Sequence, residues 1–201
     1  GDINPSGRLS DTFLKDNQSS PAAKNFGLHA YTNSSASGMT GEYTTSWVQY
    51  NQMGQTDKCN ENYIVYQEGI YVGYKYYETR YEDYVMGTGN AGDYSYQKEV
   101  EYPFGYGLSY TTFSYHDLKV EEENDHYNVE VTVRNDGTKA GKHAGEVYVQ
   151  TPYTDYDKKN GVEKASVQLA SFAKTDTLAP NKEERVKLTV NKRDIASYDA
   201  D

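Results

Sequence analysis

His126-Tyr127-Asn128-Val129-Glu130-Val131-Thr132-Val133-Arg134, followed by Asn135-Asp136-Gly137, is the stretch that decides the fold. Tyr127, Val129, Val131 and Val133 recur at every second position, the period of a β-strand with one buried face. Asn135-Asp136-Gly137 closes the run with residues that tolerate turn conformations. Alternation continues on both sides. Thr112–Val120 is a candidate strand upstream. Downstream, Gly145–Gln150 places Val147 and Val149 on one face, and Val167–Phe172 does the same for Val167, Leu169 and Ser171. Arg185–Val190 aligns Val186, Leu188 and Val190. Five short runs with turns between them predict a sandwich of two antiparallel sheets. Residues 151–165 read as one long polar loop.

The first part of the chain differs. Tyrosine occurs 22 times in 201 residues, with 16 in residues 1–112 and 6 in 113–201, and this places a domain boundary near 112. Residues 1–62 are poorly periodic; Ser34–Gly41 reads as a loop and Ser46–Tyr50 as a short strand. Ile70, Val72 and Tyr74 alternate as a strand would. Tyr74, Tyr77, Tyr81 and Tyr84 then follow a helical spacing, which predicts a strand leading into a short helix with an aromatic packing face. Gly87-Thr88-Gly89-Asn90-Ala91-Gly92 matches G-x-G-x-x-G, but no apolar helix follows, so it reads as a loop and not a nucleotide site.

Composition excludes several functions. With 20 basic and 30 acidic residues the net charge is -10, which disfavours nucleic acid and anionic membrane surfaces. Mean hydropathy is -0.93, and no run approaches the ~20 apolar residues of a membrane span. Cys59 is the sole cysteine, so neither an intrachain disulfide nor a multi-cysteine zinc site is expected. The spacings of His29, His116, His126 and His143 fit no metal motif, and all four read as surface residues. Neither metal nor cofactor is expected. No G-x-S-x-G nucleophile elbow is present. The chain opens on Gly1 with no leader pattern, and its candidate strands stop at five where a sandwich has about seven. Both points lead to the expectation of a piece cut from something longer.

Three phrases in order carry a family resemblance: Asn4-Pro5-Ser6-Gly7-Arg8-Leu9; then Glu68–Tyr77 with Tyr102-Pro103-Phe104-Gly105-Tyr106-Gly107-Leu108-Ser109-Tyr110; then Val129–Gly137 with Glu146–Val149 and Leu178-Ala179-Pro180. Together they resemble the C-terminal part of glycoside hydrolase family 3, the β-glucosidase and β-xylosidase group. The resemblance covers about residues 2–9 and 64–199. One departure is Pro180-Asn181-Lys182-Glu183, where the family often has Pro-Gly-Glu; another is the glycine-rich loop after residue 86. The implied fold is mainly β: an immunoglobulin-like, fibronectin type III-like β-sandwich (113–201), C-terminally truncated, after an irregular tail of an α/β domain (1–112). The implied function is part of a retaining β-glycoside hydrolase whose nucleophile and acid/base lie in a barrel and an α/β domain outside the chain. This part would act through β-linked glycosides bound by the parent enzyme and would support the catalytic body without turning over substrate.

The residues agree with that division. Retaining hydrolysis needs two carboxyls about 5–5.5 Å apart. Glu68 is the best local candidate for a site role and reads instead as a structural partner of the turn at Gly69. Glu82 and Asp83 read as a solvated helix face, and Glu121-Glu122-Glu123 as a solvated turn. No catalytic residue is therefore assigned. In the Tyr102–Tyr110 phrase, Pro103 fixes φ while Gly105 and Gly107 permit tight turns or close approach. Phe104, Tyr106 and Leu108 alternate with the glycines and are expected to pack on one side, as a rigid seat joining the sandwich to the catalytic body. The alternative is a non-catalytic module, one that binds carbohydrate by stacking tyrosines or one that docks a partner domain through them.

Overall fold

A computed structural model describes residues 3–25, 29–30, 62–63 and 68–198. They fall into two units, Gly1–Lys15 with Ile70–Asp201, and Asp16–Gly69. Along the chain the first unit supplies β1 (Phe13–Leu14). The second unit follows with a 3-10 turn at Asn17–Ser19, where the Asp16 side chain accepts from Gln18 N at 2.9 Å. It continues with α1 (Pro21–Asn25) and an antiparallel pair, β2 (His29–Ala30) and β3 (Asn62–Tyr63).

The first unit resumes with α2 (Tyr74–Met86), the single-turn α3 (Tyr96–Glu99), and β4 (Val100–Tyr102), which pairs with β1. Helix α2 stops at Gly87, whose φ of 66° is left-handed and whose N–H returns to the carbonyls of Asp83 and Tyr84. Then come β5 (Phe113–Glu122), β6 (His126–Asn135), β7 (Ala144–Val149), the short helix α4 (Asp155–Asn160), β8 (Gln168–Lys174) and β9 (Glu183–Asn191).

Strand β6 pairs antiparallel with β5 on one side and β9 on the other, while β7 pairs with β8 in a second sheet. Val129 and Val133 of β6, Val186, Leu188 and Val190 of β9, and Leu178 form the buried core. Val147 and Val149 of β7, with Ala170 and Ala173 of β8, pack against it. The fold is thus a mainly-β sandwich whose centre is the stretch that opened the sequence reading. The outer face of β6 is polar: Glu130 meets Arg185 and Lys187 of β9, each at 2.7 Å. Cross-strand pairs of this kind add modest stability. A groove of about 830 Å³ remains between the sheets, lined by Val131, Val147 and Leu188, with Leu118 and Val120 exposed at its edge.

Several expectations are corrected. Residues 70–73 form no strand, because Gly69 and Gly73 take left-handed φ of 57° and 60° and break the extended path. The aromatic stripe of α2 splits: Tyr77 is buried, whereas Tyr81 and Tyr84 are exposed. In β8 the core residues are Ala170 and Ala173, because the pairing with β7 shifts register between Val147 and Tyr148. A bulge of this kind re-aims every residue beyond it. Residues 151–165 are not all loop. Helix α4 is nucleated by a capping box in which Thr154 and Asp157 hold each other's backbone N–H. Asp157 is buried, meets Lys164 at 2.8 Å, and has its pKa lowered to about 2 by that ammonium and by the Thr154 backbone. The expectations for Ser34–Gly41, Ser46–Tyr50 and Cys59 lie outside the described residues.

Candidate functional site

The Tyr102–Tyr110 phrase is gripped twice. Phe104 lies 4.5 Å from the ring of Tyr74 on α2 and 6.4 Å from Tyr148 on β7, and Tyr74 and Tyr148 close the triangle at 6.2 Å. The contacts with Tyr148 are edge-on, the arrangement favoured by ring quadrupoles. The Tyr74 hydroxyl also accepts from the backbone N–H of Leu169 on β8 at 2.8 Å. One tyrosine thus ties helix, phrase and sandwich together.

Residues 4–9 form the second grip. Leu9 N donates to Tyr106 O and Gly105 N donates to Leu9 O, both at 2.8 Å. Gly105 needs its lack of a side chain: its φ is 77°, and a Cβ would collide with the Glu146 carboxylate. Gly107 needs it for closeness, since a Cβ there would strike the Gly7 carbonyl. Asn4 bridges further. Its Nδ2 donates to Ala140 O at 3.1 Å, and its Oδ1 accepts from Tyr110 N at 2.8 Å and Ser109 Oγ at 3.1 Å.

Arg8 completes this grip. It donates to Gly105 O at 3.3 Å and to His143 Nδ1 at 3.2 Å. With Nδ1 accepting, the ring proton belongs on Nε2, which faces the Tyr115 hydroxyl. The His143 ring also packs on Phe113, 4.7 Å between centroids. Burial first, and the Arg8 charge second, lower the His143 pKa to about 4, so the imidazole is neutral.

Beneath the seat lies Asn135, which is fully buried. Its Oδ1 accepts from Thr111 Oγ1 at 2.6 Å and Gly137 N at 3.1 Å. Its Nδ2 donates to Lys139 O at 2.7 Å and Leu178 O at 2.8 Å. All four hydrogen-bonding positions of the amide are therefore used. The nearby Asn181 takes a left-handed φ of 61° and donates its N–H to Asn135 O at 2.8 Å. This is the turn that lacks the glycine of the resembled family, and asparagine serves because it tolerates that region.

The sequence expectations meet this geometry unevenly. Phe104, Tyr106 and Leu108 do not share a face: Phe104 joins the ring triangle, Tyr106 packs on Tyr102 at 4.9 Å, and Leu108 is largely exposed. The left-handed turn at Gly105 separates them. His143 is not a surface histidine but is half-buried in the grip. Glu68 Oε2 is enclosed yet has no hydrogen-bond partner among the described residues, so its expected bond to the Gly69 turn is not seen at that oxygen. Glu82 accepts from Gln150 Nε2 at 2.7 Å, and Asp83 accepts from Thr88 Oγ1 at 3.1 Å, so neither is simply solvated. Glu121 and Glu122 finish β5, where they pair with Lys119 and Lys192. Glu78 has its pKa raised by burial and receives the Tyr96 hydroxyl, an internal pairing. Among the described residues no group of three or more His, Cys, Asp or Glu could hold a metal ion. Nor is any described helix long and apolar enough to cross a membrane.

Comparison with known proteins places this architecture. A fibronectin type III-like domain model matches residues 144–201. A β-glucosidase of Ruminococcus albus is 32% identical over 99% of this chain, which covers 15% of that protein. Among solved structures, β-glucosidase 3B of Thermotoga neapolitana in complex with glucose superposes with a TM-score of 0.64 at 32% identity, over 98% of this chain and 21% of that one. In fold alone, a glycoside hydrolase family 3 β-glucosidase of Bifidobacterium adolescentis superposes with a TM-score of 0.66 at 23% identity, over all of this chain and 22% of that one. The chain therefore spans about a fifth or less of the length of the relatives it matches, at their C-terminal part.

Proposed function

The chain belongs to glycoside hydrolase family 3, in the C-terminal part of its members, and from that premise we propose that it is the supporting part of a retaining β-glucosidase. Residues 1–112 are the tail of the α/β domain and residues 113–201 are the fibronectin type III-like sandwich. The nucleophile and the acid/base come from a barrel and an α/β body elsewhere in the same polypeptide. A β-linked glycoside reaches this chain through that body.

The observation that carries the reading is the doubly gripped phrase. Residues 4–9, α2 and the phrase, assigned to the α/β tail, meet the sandwich directly: Arg8 bonds His143, Tyr74 accepts from Leu169 N of β8, and Tyr74 and Phe104 pack on Tyr148 of β7. A ring triangle and a buried hydrogen-bond network fix one relative orientation, which is what a support must do. The reaction itself needs two carboxyls about 5–5.5 Å apart across the scissile bond. The test compares the purified chain with the full-length product of its gene on an aryl β-glucoside. The full-length protein is expected to hydrolyse it with retention at the anomeric carbon, and the chain alone to stay at background. Turnover by the chain alone, or inversion by the full-length protein, would overturn the proposal.

A further inference from the structure

Between α2 and residues 150–166 lies a second, open cleft of about 1210 Å³. Both walls belong to one unit of the fold, and the Phe104 seat does not use the cleft. Tyr71, Tyr76 and Tyr153 line it, and Tyr153 leaves 52% of its surface exposed, so a ring face is available to a ligand.

The charges in the walls balance. Arg80, Lys158 and Lys164 stand against Glu82, Asp83 and Glu163. A lining without net charge gives no Coulombic reward to an anion or a cation. It does offer donors and acceptors side by side, joined by the side-chain amides of Asn90 and Gln150. Four of these groups, Arg80, Glu82, Gln150 and Lys164, are held in place. Gln150 is bonded to Glu82, and Arg80 donates to Ala91 O at 3.0 Å while lying 5.6 Å over the Tyr76 ring. Lys164 is fixed by Asp157 and by Pro152 O at 3.2 Å, so the α4 capping box also braces the cleft wall. The Tyr71 hydroxyl reaches Lys164 O at 3.4 Å. Its pKa is raised by burial, then by Glu163, Tyr153 and Asp83.

Aromatic faces beside pre-positioned polar groups of both kinds suit a neutral polyol. Pyranose C–H faces stack on a ring, and sugar hydroxyls both donate and accept. Pre-positioning lowers the ordering cost of binding. We propose that this cleft binds a neutral oligosaccharide, with Tyr153 as the stacking platform and Glu163 as an acceptor for sugar hydroxyls. The choice of a β-glucan as ligand rests on the function proposed above; the cleft chemistry does not.

The test is affinity electrophoresis of the full-length gene product through native gels holding graded soluble mixed-linkage β-glucan, hydroxyethylcellulose or xylan. Retardation by at least one polymer is expected. Tyr153→Ala is expected to weaken it about fivefold or more, and Tyr153→Phe, which keeps the ring, to stay within about twofold. Lys159→Ala, outside the cleft lining, serves as the unchanged control. If Tyr153→Ala does not fold, Glu163→Gln, which keeps the shape and removes the charge, is expected to weaken retardation instead. No retardation by any polymer, or equal retardation of the wild type and the folded cleft variant, overturns the proposal. Aryl β-glucoside hydrolysis by the wild type is read in parallel: its absence refutes the glucosidase reading, whereas its presence with unchanged retardation refutes only the cleft.

Discussion

Asn135→Ala removes one amide that satisfies four groups at once. Thr111 Oγ1, Gly137 N, Lys139 O and Leu178 O all lose a partner. Asn135 is 0% exposed and Thr111 and Leu178 are buried beside it, so water cannot easily replace the amide. At about 1 kcal/mol per neutral hydrogen bond the loss is roughly 4 kcal/mol, and the range about 3–5 kcal/mol allows for partial hydration of the hole. For a protein of this size that corresponds to a fall in Tm of about 10 °C. Urea unfolding followed by far-UV circular dichroism measures it. Asn135→Asp sharpens the test. The carboxylate still accepts from Thr111 Oγ1 and Gly137 N but turns its second oxygen toward the Lys139 and Leu178 carbonyls, so burial and those carbonyls raise its folded pKa above the unfolded value of about 4. Between these pKa values the folded state holds the extra proton, so stability falls as pH rises through that window. The Asp variant must therefore approach the wild type in acid and lose ground toward neutrality. A cost under about 1 kcal/mol for Asn135→Ala, or a pH-independent penalty for Asn135→Asp, would refute the reasoning.

Other expectations are simpler. His143 has a folded pKa of about 4 against the ordinary 6.5, so below 6.5 the unfolded chain takes up a proton that the folded chain refuses until about 4. Stability should fall as pH drops from 6.5 to 4, and His143→Gln should flatten that limb of the pH–stability curve; an unchanged limb would remove this account. Gly105→Ala places a side chain at φ 77° against Glu146 and should cost about 1–3 kcal/mol in denaturant unfolding, whereas a neutral result would mean the turn relaxes freely. Tyr74→Phe keeps the ring triangle but leaves the Leu169 N–H without its acceptor, for about 1 kcal/mol by the same method.

Some of this fold is plain in the sequence, for physical reasons. In β6 and β9 alternation survives because both strands run without interruption in register, from His126 opposite Asn191 to Arg134 opposite Glu183. The β8 core face could not be read, because the irregularity lies in its pairing with β7 and leaves no local signature. Ile70 and Val72 alternate convincingly, yet the left-handed glycines on either side, Gly69 and Gly73, outweigh them. Helix α4 has no apolar period; its signal is Thr154-x-x-Asp157, which a search for periodicity passes over. The glycines and proline of the Tyr102–Tyr110 phrase announced a rigid seat, but not which rings would meet. The phrase that holds Asn4 and Arg8 stood out, but their contacts did not, since the partners at Ala140 and His143 lie 136 and 135 residues away. The cleft was hidden likewise, because its two walls come from segments far apart in the chain.

The way the first unit is sewn has a bearing on how such a chain can change over generations. It gives up the polypeptide at Lys15 and receives it again at Ile70. Residues close to the two crossing points are neighbours: a Cβ at Gly73 would sit 3.8 Å from Asp11 Oδ1. An excursion that starts and finishes near one place is closed by its host. Doubling its length raises the closure cost by only about 0.6 kcal/mol. The junction at Lys15 and Ile70 is therefore a place where a change in the length of the intervening chain adds little closure cost.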